Sequence, residues 1–140
     1  MTPSHPRLKA LGNQLIDIHI RLREQLADLR EGVIRPRDLR THCLAFCSAV
    51  REHHTDEDTG TFVALAAEFP ELKPVLKVLE RDHGQVAEIL RSIEDLFTLE
   101  DADPAVVQGE LDTLAALLET HFVYEEKKLF SALNSLGSGR

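Results

Sequence analysis

Leu111-Asp112-Thr113-Leu114-Ala115-Ala116-Leu117-Leu118-Glu119-Thr120-His121-Phe122-Val123-Tyr124-Glu125 decides the fold. With Val107 before it, the stretch places Leu111, Leu114, Leu118, His121 and Glu125 at alternating steps of three and four residues. That is the period of one helix face, and it is incompatible with the two-residue period of a half-buried strand. The face is apolar until it meets an imidazole and a carboxylate. Both should therefore point inward, where charge is expensive.

The same reading holds outward along the chain. One segment carries Leu39, Cys43, Phe46, Val50, His53 and Glu57 in phase. Another carries Leu72, Leu76, Leu79, His83, Val86, Leu90, Ile93 and Phe97, and the first carries Leu8, Leu11, Leu15, Ile18/His19, Leu22, Leu26 and Leu29. Four amphipathic helices follow, each apolar stripe interrupted only by members of the set His19, His53, Glu57, His83, His121 and Glu125. The order of one inward His and then an inward HxxxE occurs twice, a faint internal repeat.

The punctuation sets the boundaries. Helix one is predicted from about Arg7 to Glu31, stopped by Gly32. Helix two begins at Pro36, a residue suited to the first helical position, and continues weakened or kinked through Asp58-Thr59-Gly60-Thr61 to about Ala67. Phe69-Pro70 breaks the chain, and helix three spans about Glu71 to Thr98. Asp103 caps helix four, with Pro104 at its first position, and that helix runs to about Leu133. Residues 134–140 read as a flexible tail, and His5 falls in an N-terminus without obvious order. Short connections favour antiparallel neighbours, so the expected architecture is all-α, an up-down-up-down four-helix bundle built as a single domain over residues 1–140.

With 140 residues, 24 acidic and 16 basic, the chain carries a net charge of −8. That sign argues against a nucleic-acid partner. Neither a secretory-type leader nor an apolar run of membrane-spanning length is read from the sequence, so a cytoplasmic protein without membrane association is expected, a monomer or weak homodimer. Cys43 and Cys47 lie one turn apart and read as reduced core thiols, with an oxidant-responsive pair as the alternative.

In an HxxxE pair the two side chains leave adjacent turns of one face and can reach a common metal or two adjacent ones. Two such pairs and two further imidazoles give four neutral nitrogen donors and two anionic carboxylates, a mixture suited to iron, with manganese or zinc as substitutes. Six donors leave two octahedral ions unsaturated, with positions open to water, an oxo bridge, dioxygen, peroxide or nitric oxide. An unpaired buried carboxylate costs several kcal/mol, which makes a cation the expected counter-charge. His54 lies beside the stripe as a supporting or optional donor, and His42 is read as structural. Tyr124 is a candidate for lining or ligating the site, and Asp17, Asp82 and Glu126 are candidate acceptors for ligand imidazoles.

The order His, HxxxE, His, HxxxE, with the strings His53-His54-Thr55-Asp56-Glu57-Asp58 and His121-Phe122-Val123-Tyr124-Glu125-Glu126, resembles the hemerythrin-like (HHE cation-binding) domain family over about Arg7 to Leu133. The resemblance implies a four-helix bundle holding two iron ions, oxo- or hydroxo-bridged, on His19, His53, Glu57, His83, His121 and Glu125, with the glutamates as bridges. Oxygen-carrying hemerythrins use five histidines, including an HxxxH on the third helix, whereas here Ala87 is the fourth residue after His83. The set is closer to the four-His, two-Glu branch, which includes repair proteins, sensors and proteins that decompose peroxide. Tyr124 stands where relatives often have His. The expected function is binding or turnover of peroxide, nitric oxide or dioxygen, peroxide first, with Tyr124 tuning it. The rivals are a di-iron sensor or iron store without turnover, and a metal-free interaction bundle.

Overall fold

A computed structural model of the chain describes residues 4–32, 34–98 and 103–130. Every regular element among them is helical: α1 Ser4–Arg30, α2 Pro36–Asp56, α3 Phe62–Glu68, α4 Lys73–Leu96 and α5 Pro104–Glu125. A π turn over Glu57–Thr61 joins α2 to α3 as one rod, a 3-10 turn over Pro70–Leu72 leads into α4, and a second π turn, Glu126–Phe130, extends α5. The outcome is a bundle of four helical rods. Residues 99–102 of the connection before α5, and residues 131–140, which include the tail, fall outside the described residues.

Local chemistry accounts for the boundaries. Gly32 has φ of 73°, the left-handed conformation that ends α1 without the steric penalty other residues meet. α1 begins at Ser4 rather than Arg7 and so includes His5, because Pro6 falls in a first turn that needs no proline N–H. Pro36 and Pro104 occupy first-turn positions. Asp103 caps α5 by accepting a hydrogen bond from the Ala105 backbone N–H at 2.9 Å. The weak stretch after Glu57 resolves as the π turn, in which the Phe62 N–H reaches back five residues to the Glu57 carbonyl.

α1 packs on α2 and α5, and α4 packs on the same two. The stripes converge as their phase requires. One apolar cluster gathers Leu22, Leu26 and Leu29 of α1, Cys43 to Val50 of α2, Val86 to Ile93 of α4, and Val107 to Leu118 of α5. A second gathers Phe62, Leu65, Leu72, Leu76, Leu79 and Leu129. The polar set lies between the two along the rods. Among the described residues no helix is long and apolar enough to cross a membrane.

Candidate metal centre

All six stripe residues are buried, and they meet at one level of the bundle with a seventh, His54. From the 1.5 Å rise per helical residue, some pairs would be expected to sit up to about two turns apart. They do not: His83 Nε2 and His121 Nε2 are 3.1 Å apart, and the His19 and His53 ring centroids 5.3 Å.

Three imidazoles are oriented from outside. His19 Nδ1 lies 2.8 Å from Glu126, His83 Nδ1 2.8 Å from Asp58, and His121 Nδ1 3.3 Å from Asp82. Each carboxylate accepts the Nδ1 proton and leaves an Nε2 lone pair facing inward. Two such lone pairs 3.1 Å apart, on His83 and His121, do not hydrogen-bond each other. They fit two donors converging on a cation.

Among the described residues, seven buried side-chain atoms lack a hydrogen-bonding partner: Nε2 of His19, His53 and His54, both oxygens of Glu57 and both of Glu125. All belong to this cluster. His53 Nε2 is 3.4 Å from Glu57, and His19 Nε2 is 3.3 Å from Glu125, neither with hydrogen-bonding geometry. Unsatisfied buried polar groups cost about 1–3 kcal/mol each, so seven would offset most of the roughly 5–15 kcal/mol stability of a domain. A cation satisfies them together.

The protonation states suit that role. Burial, reinforced by neighbouring imidazoles, lowers His53 to about 4 and His83 to about 3, so both are neutral donors at neutral pH. Burial drives His54 down further, helped by His83 and His121. Burial and the facing Glu125 push the Glu57 carboxyl well up. Burial would raise Glu125 too, but the facing Glu57 carboxyl and the His19 and His121 imidazoles outweigh it and hold Glu125 down.

Two groups could hold a metal ion: His54, Glu57, His83 and His121, and His19, His53, Glu57 and Glu125. Within each, one donor atom per residue lies within 4.8 Å of the others, and Glu57 belongs to both. Phe122 stacks on His19 at 3.9 Å and Phe62 on His83 at 5.6 Å, walling the donors in carbon.

The other candidates divide. Asp82 and Glu126 accept from imidazoles as expected, whereas Asp17 is exposed and joins none of these bonds. Asp58 was missed, although it follows Glu57 directly. His54, ranked as an accessory, is as deeply placed as the rest. His42 is exposed and has no place in the core. Tyr124 packs against the second apolar cluster, with Lys128 5.8 Å over its ring. Cys43 and Cys47 are free, buried thiols whose pKa values burial raises to about 11 and about 12.

Fold and centre together define a helical-bundle protein with a metal-binding interior of imidazoles and carboxylates. The family model for the hemerythrin HHE cation-binding domain matches residues 11–133. The chain belongs to that family. No curated protein and no solved structure gives a match to it.

Proposed function

We propose that this protein holds two iron ions and turns over a small oxidant, hydrogen peroxide ahead of nitric oxide and dioxygen. The observation that carries the reading is the pair of donor groups that share Glu57. One carboxylate common to two groups of donors suits a bridge between two ions, with Glu125 as the second bridge. His19, His53, His83 and His121 complete the set, each through Nε2. When bound, two adjacent redox-active ions supply a two-electron couple, enough to convert two molecules of hydrogen peroxide into two of water and one of dioxygen with no outside reductant.

The chain's own residues prepare for that chemistry. Asp58, Asp82 and Glu126 fix three imidazoles in the tautomer that presents Nε2 inward. Phe62 and Phe122 keep bulk water from the donors. Tyr124, beside Glu125 in sequence and against the wall that includes Phe62, is assigned a tuning role at the edge of the site. Up-down-up-down topology is part of the reading, supported by paired contacts of opposite sense: Arg23 meets Glu119 while Arg30, farther along α1, meets Asp112, earlier on α5. A cytoplasmic setting fits the two free thiols.

The test is iron content of protein expressed with ample iron, followed by oxygen evolution from added peroxide. About two irons per chain and steady oxygen release support the reading. A metal-free protein removes it. Iron without oxygen release moves the conclusion to the runner-up, a di-iron sensor or store, which the fully buried centre also suits.

A further inference from the structure

We propose that His54 is itself a metal ligand, so that the centre is unequal: three imidazoles, from His54, His83 and His121, serve one position, and two, from His19 and His53, serve the other. The inference rests on the two-ion reading and adds to it a donor outside the helical phase of the six.

His54 is 5 % exposed, and its Nε2 lacks any hydrogen-bonding partner. A donor atom of its ring lies within 4.8 Å of donors from Glu57, His83 and His121. The ring is parallel to His83 at 3.8 Å between centroids and edge-on to His121 at 5.3 Å. A side chain present only for packing would fill this space better as carbon, because an imidazole there pays to bury a nitrogen that gains no bond. A cation in the group removes that cost.

The backbone explains how two consecutive residues both reach the interior. Successive positions on a helix diverge by about 100°, so His53 and His54 straddle the inward direction. His53 turns to the group that includes His19 of α1, and His54 to the group that includes His83 of α4. α4 itself carries no second imidazole facing this place: Gly84 and Ala87 line a pocket of about 280 Å³ between α2 and α4, with His54 and His83 also in its lining. A Cβ on Gly84 would meet nothing within 4 Å. The third donor therefore comes from α2, across space that α4 leaves open.

That pocket offers a direct test. His54→Ala and His54→Phe are purified with iron, their folding checked by circular dichroism, and both are titrated with a chelator while ions per chain and the optical spectrum are followed. Wild-type protein should release its two ions with distinct affinities. In each variant one ion should bind at least about tenfold more weakly, while the other is retained. Free imidazole, admitted through the α2–α4 pocket, should restore the second ion and the spectrum in His54→Ala but not in His54→Phe, whose ring occupies the space. If either variant keeps both ions at wild-type affinity with an unchanged spectrum, His54 is not a ligand. If His54→Ala weakens binding but imidazole restores nothing, its role is packing and the proposal also fails. Fewer than two ions in the wild type would instead overturn the two-ion reading, a result distinguishable from either.

Discussion

The two ends of the main core are built from the same helices in the same phase, yet they are completed by different means. At one end, Leu29, Cys43, Phe46, Ile93, Val107 and Leu111 close on one another as carbon and sulfur, and even the thiols hold their protons. At the other, the stripes end in His19, His53, Glu57, His83, His121 and Glu125, where seven buried atoms face inward without partners. The apolar end is finished when the chain folds. The polar end is finished when something positive arrives. Stability at the first should follow side-chain volume, and at the second it should follow metal and protons.

The largest expected break is Glu57→Ala, because this carboxylate belongs to both donor groups. It should weaken metal binding by more than the roughly 10–100-fold typical of a supporting residue, and chelator titration with metal analysis reads it directly. Glu125→Ala, whose carboxylate lies in one donor group, should rank next. At the apolar end, Leu114→Ala should cost about 2–5 kcal/mol by leaving a cavity, seen in denaturant unfolding of the apo-protein, while metal per folded chain stays constant. A loss of metal in that variant would mean the two ends are not separable.

Removing an outer carboxylate should matter less than removing Glu57, which both donor groups share. Asp58→Ala frees His83 Nδ1 from its 2.8 Å partner and should cost about 10–100-fold in affinity. Titration sharpens the contrast further. His53 and His83 titrate near 4 and 3 when folded, against an ordinary value of 6.5. Between those values the unfolded chain binds more protons than the folded one, so stability rises with pH in that window. The share of apo-protein stability carried by these two histidines should be fully present above about pH 6.5 and should be lost as acid is added toward pH 4 and 3, whereas Glu57, raised by burial, contributes with the opposite sign as pH rises. Protons compete with metal for the same nitrogens, so metal release should run in the same direction. A melting series across this range, with and without metal, checks both. Smallest is Tyr124→Phe, which should leave stability within about 1 kcal/mol and shift only the optical spectrum or the peroxide rate of loaded protein.

Helical phase is what made most of the centre legible from sequence. His121 and Glu125 continue a run of leucines at unbroken spacing, and a polar residue in that register has nowhere to go but inward. His54 breaks the rule by being adjacent to a residue already in phase, so periodicity files it beside the stripe. Only three-dimensional convergence shows that His53 and His54 flank the inward direction and serve opposite neighbours. Asp58 was hidden for a related reason. Thr59-Gly60-Thr61 reads as poor helix, and poor helix does not say whether the chain unwinds, kinks or widens its turn. It widens, and Asp58 comes to rest against His83.

The widened turn at Glu57–Thr61 also fixes how this chain can change length. Before it, Glu57 must face the donors; after it, Phe62 and Leu65 must face the second apolar cluster. Removing Gly60 would tighten the turn to an ordinary one and rotate everything downstream by about 100°. Either the carboxylate or the phenylalanine could then face inward, but not both. One glycine, where even an added Cβ would meet nothing within 4 Å, thus sets the angular alignment between a metal site and the helix that closes over it, and its deletion should be as damaging as the loss of a ligand.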